Sequence, residues 1–132
     1  MREVIVRPLA ETGLAMHIEV GPHVLRSDEP VDAGGGDSGI EPQEMLLAAL
    51  GACTSITLRM YAARKGWPLR EARLSLTAST VDGVYVIQRQ LILEGDLDDD
   101  QLARLEEIAN RCPVHRAITG EVRVIDLDGG LA

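Results

Sequence analysis

The sequence predicts an α+β fold, in which one long helix is set between antiparallel strands. Three observations carry this. The first twenty-odd residues alternate apolar and polar side chains in short runs broken by turn residues. A helical run opens at Pro42 and stops at Gly66. Two further alternating runs flank Asp82-Gly83, a hairpin signal, and a second amphipathic helix follows them.

Taken in order, residues 2–8 alternate in part and end at Pro8, which reads as a short strand. Residues 14–20 form a second strand after the turn at Glu11-Thr12-Gly13, and His23–Arg26 a third after Gly21-Pro22. Ser27 to Gly39 is a loop with three consecutive glycines and flanking Asp. It is not a phosphate loop, because it lacks the Lys-Ser/Thr ending and its carboxylates would repel phosphate. Pro42 fits a first helical turn, where its missing N–H costs nothing. Ser38 and Glu41 have capping-box spacing, and Arg64 and Lys65 complement the dipole at the other end. Between Met45 and Cys53 the helix is apolar all round, so both of its faces should be buried, with a partner subunit completing the cover. Leu69 to Thr80 alternates as a strand, and Val84 to Leu93 returns from the hairpin. Asp96 to Asp100 caps a second helix that carries Leu97, Leu102, Leu105 and Ile108 on one side and ends near Asn110. Cys112-Pro113 begins a turn or a new helix, and Glu121 to Leu127 alternates as a final strand.

Composition narrows the function. A length of 132 residues fits a single domain, 1–132, or one protomer of a tight oligomer. Thirteen Lys+Arg against 21 Asp+Glu leave a net charge of −8. Nucleic acid and anionic membrane surfaces both demand a dense basic patch, so neither is an expected partner. With no Phe, one Trp and two Tyr, the chain also lacks the stacking platform of a single-strand binder. No unbroken run of 18 apolar residues is present, so no transmembrane helix is expected. The N-terminus has no apolar signal region, which places the protein in the cytoplasm by default.

Cys53 and Cys112 are the two cysteines. In a reducing compartment a permanent disulfide is not expected, and such thiols are catalytic, redox-active or buried as small hydrophobes. Cys53 lies mid-helix among Ala49, Leu50, Ile56 and Thr57, a setting that raises a thiol pKa. To react it needs a cation from elsewhere in the fold, and Arg7, Arg26, Arg89 and Arg116 are the candidates. Cys112 lies at an element boundary, where free N–H groups favour thiolate, with His115 and Arg116 three and four residues on. Cys53, Cys112 and His115 lack paired close ligands, so no metal centre is expected.

The stretch from Pro42 through Cys53 to Thr54 resembles the first signature of the OsmC/Ohr family, the osmotically induced and organic-hydroperoxide-resistance proteins. Arg111-Cys112-Pro113-Val114-His115-Arg116 resembles the second signature of the OsmC-like branch, as does Ser27-Asp28-Glu29-Pro30 followed by Gly34-Gly35. The resemblance implies an intertwined α+β homodimer, with long central helices enclosed by antiparallel sheets from both subunits. It implies a thiol-dependent peroxidase acting on an organic hydroperoxide without a bound cofactor. Cys53 becomes a sulfenic acid, Cys112 condenses with it to a disulfide, and a dithiol reductant resets the pair. Arg26 is the residue assigned, by sequence vicinity, to activate the Cys53 thiolate. In the Ohr branch a Glu stands ten residues before the helix cysteine; here that position is Gln43. Glu44, nine residues before Cys53, projects from the opposite helix face. This departure keeps two alternatives open on the same scaffold, a non-catalytic protein binding a small ligand and a redox sensor.

Overall fold

The computed structural model describes residues 1–127 and has the element order β1 (Ile5–Pro8), β2 (Met16–Val20), β3 (His23–Ser27), α1 (Pro42–Lys65), β4 (Leu69–Val81), β5 (Val84–Gly95), α2 (Asp99–Ala109) and α3 (Pro113–Thr119). The α+β class and the antiparallel pairing expected from the sequence are both present. The chain divides into two compact units, Met1–Ala48 and the remainder from Ala49.

In the first unit β1, β2 and β3 form a three-stranded antiparallel sheet in that order. Ile5 pairs with Glu19 and Val20 with His23 across a two-residue turn opened by Gly21, whose φ of 58° suits glycine. The following loop is organised by Asp28. Its carboxylate accepts hydrogen bonds from the backbone N–H groups of Glu29 (2.8 Å), Gly36 (3.2 Å) and Ser38 (3.1 Å) and from the Ser38 hydroxyl (2.7 Å). Those donors, led by the Ser38 hydroxyl, hold the Asp28 pKa down at about 2. A side chain at Gly35 would collide with the Glu29 carbonyl, so the glycine run is what lets the loop fold back on itself. Ser38 is therefore engaged by Asp28, and the capping box expected for Ser38 and Glu41 does not form. Instead the Glu44 carboxylate accepts from the Glu41 N–H at 3.0 Å, one turn closer to the helix.

In the second unit β4 and β5 form a long antiparallel ribbon in which Leu74 pairs with Leu91 and Ala78 with Ile87. Asp82 and Gly83 turn it with φ values of 51° and 78°, the left-handed pair a two-residue type I′ turn requires. Asp98 caps α2 through a complete capping box with Gln101. Leu58 of α1, Ala72 of β4, and Leu105, Ile108 and Ala109 of α2 form the buried core, with Trp67, Leu91 and Leu93 packed around it. The Arg104 Nε–H donates to the Tyr61 hydroxyl at 3.0 Å and clamps α2 to α1.

The helix α1 starts and stops where Pro42 and Gly66 indicate. Its most apolar 18 residues have a mean hydropathy of 1.4, so by length and composition it could cross a membrane, and the missing unbroken run does not by itself exclude that. One face, Leu50, Thr54, Leu58 and Ala62, is buried in protein at a four-residue spacing. The opposite face is open within one chain: Ile56 and Met60 are 57% and 61% exposed. Of the burial expected on both faces, one chain supplies a single face, and the expected cover by a partner subunit lies beyond one chain.

Residues 121–127 correct the expected final strand. They adopt no strand, and Val122, Val124, Ile125 and Leu127 are exposed. Alternation is not enough to make a strand without a paired neighbour, and among the described residues none pairs with this run.

Candidate functional site

Both cysteines belong to the second unit and are free thiols. Cys53 is partly buried on α1, while Cys112 is fully buried. Cys112 is the N-cap of α3, with Pro113 opening the helix behind it. The structure brings the two thiols together: Cys53 is neighboured by the Cys112 thiol, the Val114 N–H and the Thr57 hydroxyl. Burial pushes the Cys53 pKa above the ordinary thiol value, and the Cys112 thiol pushes the same way. The Val114 N–H and the Thr57 hydroxyl pull it back by less.

Cys112 is held from two sides. Its sulfur accepts from the backbone N–H of His115 at 3.3 Å and lies 3.6 Å from the Thr54 hydroxyl oxygen. The free N–H group expected beside Cys112 is that of His115, in the ordinary bond of an N-cap. Thr54 in turn donates to the Leu50 carbonyl at 2.7 Å and accepts from Nη1 of Arg89 at 3.2 Å. Arg89 also reaches the Ala109 carbonyl at 3.4 Å and Oδ1 of Asn110 at 2.8 Å. Of the four candidate arginines, Arg89 is therefore bound into the polar cluster around Cys112. Arg26 lies on β3 of the first unit, opposite His17. Arg7 pairs with Glu19 at 2.7 Å.

A groove of about 490 Å³ opens at Cys53. Ile56, Thr57, Met60 and Pro113 form its wall, and Arg64 and Arg111 stand beside them. It gives a small, largely apolar molecule a route to the Cys53 sulfur, whereas Cys112 is covered.

Sequence reasoning missed Thr54 and Asn110 and gave Arg89 no particular place. Two signals point to Arg89 and Thr54. Arg89 breaks the inward row Ile87, Leu91, Leu93 of β5, and Thr54 breaks the stripe Leu50, Leu58, Ala62 of α1. A polar group on an apolar row needs a partner, and these two are each other's.

Paired thiols on an α+β scaffold, one open to a groove and one enclosed, define a dithiol protein. Residues 34–125 match the family model of the OsmC-like proteins, and the chain belongs to that family. The fold is similar to that of an OsmC-like protein from Mycoplasma pneumoniae, with 18% identity, a TM-score of 0.75 and coverage of 91% of this chain and 88% of that one. It is similar to an organic hydroperoxide resistance protein OsmC from Legionella pneumophila, with 20% identity, a TM-score of 0.65 and coverage of 91% and 90%. The organic hydroperoxide resistance protein OhrB of Bacillus subtilis shares 23% identity, a TM-score of 0.62 and 88% of each chain. No curated protein sequence matches the chain significantly.

Proposed function

We propose that the protein is a thiol-dependent peroxidase that reduces organic hydroperoxides, acting as a homodimer in the cytoplasm. The observation that carries this reading is the meeting of a groove-lining thiol, Cys53, with an enclosed one, Cys112. The relatives that are hydroperoxide-resistance proteins support the substrate class.

The Cys53 thiolate attacks the outer oxygen of the hydroperoxide. The O–O bond breaks, the leaving alkoxide takes a proton to become an alcohol, and Cys53 is left as a sulfenic acid. The Cys112 sulfur then bonds to the Cys53 sulfur. The S–O bond breaks, and hydroxide leaves as water with the Cys112 proton. A dithiol reductant restores both thiols by two exchange steps and is itself oxidised to a disulfide. Since burial disfavours the Cys53 thiolate, the first step needs a cation, and Arg26 is the residue proposed for that role.

Titrating the reduced protein with an alkyl hydroperoxide tests the reading. Both thiols should be consumed, and peptide mapping should recover an intramolecular Cys53–Cys112 disulfide. Thiols that survive excess peroxide would sink it. In that case the raised Cys53 pKa and Gln43 favour a second reading, a protein that binds a small ligand in the groove without turnover, and Cys53→Ser should then retain binding.

A further inference from the structure

The geometry points to Arg89 and Thr54 as positioning residues for Cys112, acting on the step in which this enclosed thiol attacks Cys53. The inference rests on the proposed role of Cys112 as the resolving thiol and adds what prepares it.

A threonine hydroxyl has one hydrogen and two lone pairs. The Thr54 hydrogen lies on the Leu50 carbonyl at 2.7 Å, and one lone pair takes the Arg89 guanidinium at 3.2 Å. What remains toward Cys112, 3.6 Å away, is the second lone pair, so the Cys112 S–H is the donor in that contact. The resting thiol therefore has its hydrogen held on the Thr54 side, while its sulfur takes the His115 N–H.

As Cys112 attacks, its hydrogen leaves and charge gathers on its sulfur. Thr54 can then turn its own hydroxyl hydrogen from Leu50 to that sulfur. The Arg89 charge on the Thr54 oxygen makes the hydroxyl a stronger donor for this moment. The same guanidinium ties the Ala109 carbonyl and Asn110, three and two residues before Cys112, so it also fixes the turn that carries the sulfur. Arg89 sits inside the apolar row of β5, and this cluster satisfies it there. Arg89 bonds Thr54, Ala109 and Asn110 and reaches Cys53 only by way of Thr54 and Cys112, so the first thiol should depend on it far less.

The test needs no peroxide and separates the two thiols. A nitrobenzoate disulfide reagent reacts first at the groove-lining Cys53, giving a mixed disulfide and one coloured thiolate. Cys112 then attacks the Cys53 sulfur, forming the protein disulfide, and a second coloured thiolate leaves with the Cys112 proton left to solvent. In Arg89→Met the first phase should stay within about twofold of wild type, while the second, concentration-independent phase slows by about tenfold or more, as expected for loss of a bond to a charged group. Thr54→Val should slow the same phase, and Thr54→Ser, which keeps the hydroxyl, should restore it. If Arg89→Met does not fold, Arg89→Lys and the Thr54 pair carry the comparison. A second phase that is unchanged in Arg89→Met and in Thr54→Val, or absent in wild type, overturns the inference. A normal second phase in a protein inert to alkyl hydroperoxide overturns the peroxidase reading and leaves this one standing.

Discussion

Among the side chains whose acidity the fold moves, Cys53 and Asp28 go in opposite directions, and each makes a measurable claim. Burial raises the Cys53 thiol, so on that ground alone its thiolate fraction at neutral pH is smaller than that of a free cysteine. An activating Arg26 would oppose this. Iodoacetamide alkylation of Cys53 in Arg26→Ala is expected to inflect above the ordinary thiol value, with wild type inflecting lower; equal inflections would remove Arg26 from the mechanism. Asp28 goes the other way, from 3.8 to about 2. A carboxyl whose folded pKa is depressed stabilises the fold fully above its unfolded value and loses that contribution as pH falls through the folded one. Asp28→Asn should therefore be less stable than wild type at neutral pH. The gap in denaturation midpoint should narrow between pH 3.8 and about 2. A gap that does not change with pH would show that the carboxylate charge does not organise the loop.

Elements were legible where punctuation and period agree. Pro42, the apolar run and Gly66 bound α1 to the residue, and Asp82-Gly83 set the β4–β5 register. Local spacing misled at Ser38, because the nearby Asp28 competes for its hydroxyl and N–H and wins. It misled at Glu121–Leu127, because alternation alone does not make a strand, and among the described residues none pairs with this run. In the candidate site, the family-like motifs located Cys53 and Cys112 but gave no hint of the Arg89–Thr54 link, since that link joins β5 to α1 across 35 positions. The α1–α2 packing supplies a prediction at this scale. Leu105 and Leu58 are completely buried against each other's neighbours, so Leu105→Ala should cost about 2–5 kcal/mol in chemical denaturation. A cost below about 1 kcal/mol would mean that α2 does not seal the core.

At the scale of the whole molecule, one chain leaves many apolar groups in water, and two sets of them bear on assembly. Ile56 and Met60 stand out from the uncovered face of α1, and Val122 and Val124 from the segment after α3. A second copy is the proposed cover for both, in the intertwined arrangement of long central helices and enclosing sheets. Light scattering should therefore give twice the 14.3 kDa chain mass, and Met60→Asp should shift it toward the monomer by placing a charge on the covered face. A wild-type monomer at high concentration would remove this reading. Bonding between the two sulfurs would also change the chain's topology. Fifty-eight residues separate Cys53 from Cys112, and tying their ends shrinks the unfolded ensemble by an entropy equivalent to about 4 kcal/mol. Each catalytic cycle would then pass through a form far harder to unravel than the one that began it, so that durability itself would report how recently the protein had met an oxidant.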